Sequence, residues 1–270
     1  MKFTDCKTAS ALLEFLDNDA HALSHKFYYH YTTFDIIKKI YRGKSIWLSQ
    51  LCKTSNDICE RKWYEEYGKT SFSVCFSTGS TESIPLWYLY SSKKGVGARL
   101  IISKSQMKRL WNNLSFVLAE IDGNKEIVLG SEIPLGKEDY RVAFRDILYV
   151  SRANKASCDH QRNDKSGIIR YNNDLLRISS DEIRAVTQSY MKFVKNQIWF
   201  YEKESRLDVE LLKPELLLED KSYVIIMDIS SIIDTTYVMM APDIDDLEGY
   251  QESVPEMRLR LSEYSGQFAI

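Results

Sequence analysis

Glycine and proline are scarce in this 270-residue chain, at 11 and 5 residues. Both fall below the ordinary shares of about 7% and 5%. That scarcity excludes collagen-like, low-complexity and disordered chains. Apolar runs are short, and none approaches the roughly 18 residues of a membrane helix. The N-terminal stretch MKFTDCKTASALLEFLDNDAHAL is interrupted by Lys2, Asp5, Lys7, Glu14, Asp17 and Asp19. A signal-peptide core does not tolerate such charges. Cysteine is limited to Cys6, Cys52, Cys59, Cys75 and Cys158, an odd number with no CxxC. That usage reads as reduced thiols of a cytoplasmic protein. Common catalytic signatures are also missing. There is no P-loop, no GxGxxG after a strand, no GxSxG and no HExxH. His21 and His25 stand four apart, and Cys158 and His160 flank Asp159, but neither set has a second half at zinc-finger spacing. No metal site is expected.

What is present is an ordinary globular composition, 44% hydrophobic and 27% charged, with 17 tyrosines. The net charge of −2 comes from 36 Lys+Arg against 38 Asp+Glu, and it hides an uneven distribution. Between Ser83 and Ala119 no acidic residue occurs, while Lys93, Lys94, Arg99, Lys104, Lys108 and Arg109 do. From Phe200 onward the sequence holds 16 acidic and 6 basic residues. The basic middle suits phosphates, whether of a nucleotide or of a nucleic acid.

Periodicity predicts a helix over 8–25, a strand at FYYHYTT (27–33) and a short helix ended by Gly43. Strands follow at SIWLSQ (45–50) and SFSVCFST (71–78), with a turn at KTSNDICE between them. SIPLWYLYSS reads as a short helix, GVGARLIIS as a strand and 104–114 as a helix. Strands are expected at FVLAEID, KEIVLGSE and RVAFRDILYV, then an exposed polar loop over 151–166. IRAVTQSYMKFVKNQ reads as one helix and WFYEKESRLDVELL (199–212) as one strand, with further strands near 222–231 and 235–242. Helices and strands mix without βαβ alternation, so the fold class is α+β. The expected organisation is an N-terminal helix (1–26), a main domain (27–240) and an acidic C-terminal helical tail (241–270).

Three segments carry chemistry. Strand alternation puts Glu202, Glu204, Arg206, Asp208 and Glu210 on one face. Such a row is either a solvated face or a cleft in which paired carboxylates stabilise positive charge at a sugar carbon. His30 with Thr32 on an early strand suits a ribose hydroxyl. Ser77 ends CFS, and Trp87 and Tyr90 lie three apart on the helix after it, a wall for a flat ring or ordinary core.

The ordered set HYT (30–32), WLS (47–49), NDICE (56–60), CFS (75–77), LWYLYSSKKGV (86–96) and WFYEKESR (199–206) resembles a bacterial family of uncharacterised proteins. That family is similar to the ADP-ribosyltransferase superfamily. The resemblance implies a split mixed β-sheet core of ADP-ribosyltransferase type with flanking helices, spanning 27–240. It implies NAD as co-substrate, with Glu204 or Glu202 catalytic. His30, Thr32, Ser77, Trp87, Tyr90 and Arg206 would be cofactor-binding. The implied activity is ADP-ribosyl transfer to a macromolecular target, RNA, DNA or protein, by a toxin or phage-defence effector with an antitoxin partner. Two competing expectations are a non-catalytic nucleotide or nucleic-acid binding module, and a nuclease using the carboxylate row with Mg²⁺.

Overall fold

The computed structural model describes residues 2–54, 60–61, 64–65, 68–92, 95–151 and 166–267. Most of NDICE, with Cys59, lies outside the described residues, as do Lys93, Lys94 and the interior of the 151–166 segment with Cys158 and His160. Two mixed sheets with flanking helices make the chain α+β. The strands are β1 (Phe27–Thr33), β2 (Ser45–Gln50), β3 (Ser71–Ser77), β4 (Gly97–Ser103), β5 (Phe116–Ile121), β6 (Ile133–Pro134), β7 (Tyr140–Asp146), β8 (Leu148–Ser151), β9 (Ser166–Tyr171), β10 (Asp174–Ser179), β11 (Val194–Asn196), β12 (Glu204–Leu211), β13 (Ser222–Asp228), β14 (Tyr237–Met240) and β15 (Leu259–Arg260). The helices used below are α1 (Ala9–Asp17), α2 (Phe34–Gly43), α3 (Leu51–Thr54), α4 (Ile84–Trp87), α5 (Lys104–Asn112), α6 (Ser180–Ser189) and α7 (Glu248–Ser253). Among the described residues no helix is long and apolar enough to cross a membrane.

The larger sheet divides at β3. One edge of β3 pairs along its whole length with β12, from Glu204 opposite Ser77 to Glu210 opposite Ser71. The other edge is shared. β1 pairs at its C-terminal end, Tyr29 opposite Ser77, and β2 pairs nearer its start, Ser49 opposite Ser73 and Gln50 opposite Phe72. From there β1 continues into β4 and β14, while β2 continues into β13 and β5. Two strands that leave one edge in different company open a cleft above Cys75, the residue between their pairing points. The apolar side of this sheet is filled by Tyr28, Phe72, Phe76, Leu100, Leu207, Val209 and Ile225, all fully or almost fully buried. Alternation along β3 and β12 therefore commits one face to the core and leaves the other to line the cleft.

A second core lies apart from the first. It joins Phe3, Leu12 and Leu16 of the N-terminal segment to the small sheet β10-β9-β8-β11 and to Ile183 and Val186 of α6. Thr8 caps α1 by accepting from the amide of Ala11, and Ser179 caps α6 by accepting from that of Glu182.

Several expected elements differ. The helix predicted over 8–25 stops at Asp17, and a short 3-10 turn follows at His21–Leu23. IRAVTQSYMKFVKNQ is not one helix. It ends at Ser189, and its last residues form β11, parallel to β8. Pairing with a waiting strand edge outweighs helical periodicity there. The acidic tail is mostly not helical: α7 has six residues, and β15 adds a parallel edge to β14. Its end is tied down by buried Glu82, whose carboxylate accepts from Ser262 Oγ and the Glu263 amide, both at 2.7 Å.

Candidate functional site

The cleft holds a cavity of about 260 Å³. Its lining includes His30, Ser77, Tyr90, Glu202, Glu204 and Arg206, all expected from sequence, brought together from β1, β3, the turn after α4, the 3-10 helix Gln197–Glu202 and β12. Thr32 and Trp87 are not in that lining. Trp87 is fully buried in a separate cluster, edge-on to Tyr31 at 4.8 Å, and its indole N–H donates to Glu82 at 2.9 Å. It is core, not a stacking wall for a ligand. Only Tyr90 of that pair faces the cavity, because the chain winds through a wide π turn (Tyr88–Ser92) after α4.

Strand alternation does not place the two glutamates together. Glu202 closes a 3-10 helix (Gln197–Glu202), Glu204 begins β12, and Lys203 between them adopts left-handed φ of 43°. That reversal brings both carboxylates to one cation, Lys195 Nζ, at 2.6 Å from Glu202 and 2.5 Å from Glu204. Further along β12, Arg206 is wholly buried. Its Nε and Nη2 both reach Glu204 Oε1 at 2.8 Å, and its Nη1 lies 2.7 Å from Glu60 and donates to the Lys192 carbonyl at 2.6 Å. Asp208 is buried as well, accepting from Ser71 at 2.6 Å, Ser73 at 2.7 Å and Lys192 at 3.2 Å. The row of charges is therefore an internal network and not a solvated face. Arg206, expected to bind the cofactor, lines the cavity with its guanidinium committed to internal partners.

This geometry separates the two carboxyls. Burial would raise Glu204, but Arg206 and Lys195 together hold it well below the ordinary range, so it stays ionised. Glu202 is pushed up to about 7, by burial first and by the charge of Glu204, with Lys195 opposing. One lysine between two carboxylates balances only one of them fully. Glu202 Oε2 holds Lys195, while its Oε1 is buried without a hydrogen-bond partner among the described residues. Lys195 keeps its proton, since the two glutamates outweigh its burial. Cys75 beside them is held as a thiol, by burial first and then by Glu204.

His30 is driven towards the neutral form by burial. Its Nδ1 lies 3.1 Å from the Cys75 carbonyl, which only accepts, so Nδ1 carries the hydrogen and Nε2 is left as an acceptor. Burial also keeps the Tyr90 hydroxyl protonated. The cavity thus offers an aromatic face, a neutral imidazole, the Ser77 hydroxyl and one fixed negative charge.

The described residues of the basic window do not form one surface. Arg99 is buried, donating to Tyr31 at 2.7 Å and stacked 4.3 Å from the Tyr29 ring. Lys104, Lys108 and Arg109 are exposed on α5. None of these four lines the cleft, whose cations are Lys195 and Arg206. Lys195 escaped the sequence reading because it sits in a helix-like run 7 residues from Glu202. Glu60 closes NDICE, and nothing local marks it as the partner of Arg206. No protein-family model, curated protein or solved structure matches this chain significantly.

Proposed function

We propose that the cleft binds NAD⁺ and that the protein transfers ADP-ribose to a macromolecular target, nucleic acid or protein. The observation carrying this reading is the convergence of His30, Ser77, Tyr90, Glu202 and Glu204 on one cavity at the division of the sheet. The motif order adds to it, since a divided sheet with a late-strand glutamate is what the ADP-ribosyltransferase resemblance implies. In this reading Tyr90 lies against nicotinamide. His30 Nε2 accepts from a ribose hydroxyl, and Ser77 lines the nicotinamide ribose. Glu204, ionised and fixed by Arg206 and Lys195, accepts from the 2′-hydroxyl and offsets positive charge on the sugar. The bond between the anomeric carbon and the nicotinamide nitrogen breaks, and the nitrogen keeps the electron pair. A nucleophile of the target then bonds to that carbon and gives up its proton. Glu202, near neutrality and with Oε1 unengaged among the described residues, is suited to receive it.

A second reading has its own observation. Glu202 and Glu204 are each 4% exposed and both paired with Lys195. Such saturation suits a nucleotide-binding module without turnover. Incubation with labelled NAD⁺, RNA, DNA and cell lysate separates the two. Transfer predicts nicotinamide release and label on a macromolecule, lost in Glu204→Gln and reduced in His30→Ala. Binding without release supports the module.

A further inference from the structure

Behind the cleft, a pair of histidines takes no part in this scheme. His21 begins the 3-10 turn after α1, and His25 follows it. Both meet Asp146, the last residue of β7, across 125 and 121 residues of sequence. His21 Nδ1 lies 2.7 Å from Asp146 Oδ2, and His25 Nε2 lies 2.9 Å from each carboxylate oxygen. The three ligand atoms fall within 4.8 Å of one another. They line a cavity of about 300 Å³ together with Asn172, Asn173, Thr78 and Lys203.

What the Asn172 amide faces fixes which of its ends points at His21. Asp146 only accepts, so His21 Nδ1 must carry a hydrogen and donate it. Yet the Asn172 amide nitrogen, also a donor, stands 3.1 Å from that same nitrogen. Two donors face each other. Turning the amide end over exchanges its oxygen for its nitrogen at no steric cost. With that exchange, an amide oxygen stands beside His21 Nδ1, at the edge of the group formed by the two imidazole nitrogens and the carboxylate. Asn172 is held there by the β9–β10 turn, where it adopts left-handed φ of 54°.

We propose that His21 Nδ1, His25 Nε2 and Asp146, with the Asn172 amide oxygen, bind one divalent transition-metal ion of the Zn²⁺ and Co²⁺ class. Two imidazoles with two oxygens suit such ions better than Ca²⁺ or Mg²⁺. Bonds of about 2.0–2.1 Å on tetrahedral zinc set ligand atoms about 3.3 Å apart, so the two imidazole–carboxylate contacts, at 2.7 and 2.9 Å, open by about half an ångström to take the ion. His21 is 42% exposed, which gives the ion a way in. Ser205 donates to Asp146 and orients the carboxylate from β12. The ligands come from the N-terminal segment, from β7 in the large sheet and from the small sheet, so the ion would tie the two cores together. Glu204 lines this cavity as well as the cleft, but the site requires no NAD⁺ chemistry.

The test uses the full chain stripped with a chelator and titrated with Co²⁺, following its visible ligand-field absorption, with displacement by Zn²⁺ and metal counted by elemental analysis. One ion per chain is expected, with a thermal transition raised by saturating Zn²⁺. His25→Ala and His21→Ala are expected to weaken binding at least tenfold. His21 is solvent-facing, so its variant keeps the fold even if the His25 variant does not. Asn172→Asp, which adds a carboxylate, retains or tightens binding. Absence of Co²⁺ absorption and of retained Zn²⁺, with an unmoved thermal transition, overturns the proposal. Undiminished binding in both histidine variants overturns it equally, because the ion then sits elsewhere.

Discussion

Lys195 decides the character of the cleft. It is buried with two carboxylates, and its removal leaves Glu202 without its cation and Glu204 with Arg206 alone. Lys195→Met should therefore destabilise the protein by about 3–5 kcal/mol in urea unfolding, the cost of breaking a buried pair on one side. Glu202 supplies a sharper test. Its folded value of about 7 lies above the ordinary 4.5. Its stabilising contribution is thus complete below about pH 4.5 and lost as pH rises through about 7. At about 1.36 kcal/mol per unit, the wild type should lose about 3 kcal/mol over that window relative to Glu202→Gln. His21, raised first by its hydrogen bond to Asp146, also loses stability with rising pH, but equally in both proteins, so it cancels from the comparison. Equal pH slopes in urea titrations of the two proteins would contradict this assignment.

At the scale of elements, the joint between the 3-10 helix Gln197–Glu202 and β12 matters most. Lys203 at φ 43° folds the chain so that consecutive acids meet one lysine. Lys203→Gly should be neutral or slightly stabilising in thermal melts. Lys203→Ile should cost about 1–2 kcal/mol, because a β-branched residue resists the left-handed region. A neutral isoleucine would count against the joint. The same joint marks what the sequence reveals. Alternation correctly groups Glu204, Arg206 and Asp208 on one face of β12. It gives the right company for Glu202 for the wrong reason, since a 3-10 turn and not a strand carries it. The burial of that face is not legible locally. Its partners come from β3, from β11 and from Glu60, and only tertiary pairing delivers them. Lys195 was hidden for a related reason, because its run reads as helical until β8 claims it as a strand. The strands β1 to β5 were legible because each combines β-branched or aromatic residues with clear turn signals.

At the scale of the molecule, two cores share one chain. The N-terminal segment closes the smaller one with Phe3, Leu12 and Leu16. Deleting residues 2–17 uncovers those contacts, each worth about 1.5–3 kcal/mol of burial. A lower, less cooperative thermal transition is expected by calorimetry, and an unchanged one would show that the small sheet holds without its cover. The charge asymmetry of the sequence also changes meaning at this scale. Arg99 is an internal residue, α5 carries three exposed cations, and the cleft draws its positive charge from Lys195 and Arg206. If the target is nucleic acid, the exposed cations of α5 are a surface for its phosphates. Exchange of Lys104, Lys108 and Arg109 for Gln should then weaken RNA or DNA binding, measured by fluorescence anisotropy, without altering NAD⁺ turnover.

The most direct measurement of the central claim is nicotinamide release from labelled NAD⁺ by the purified protein, with and without lysate or nucleic acid, beside Glu204→Gln. The account predicts release by the wild type, label carried onto a macromolecule, and loss of both in the variant, whose fold is checked by circular dichroism. No release by the wild type under any of these conditions, or equal release by wild type and Glu204→Gln, would contradict it.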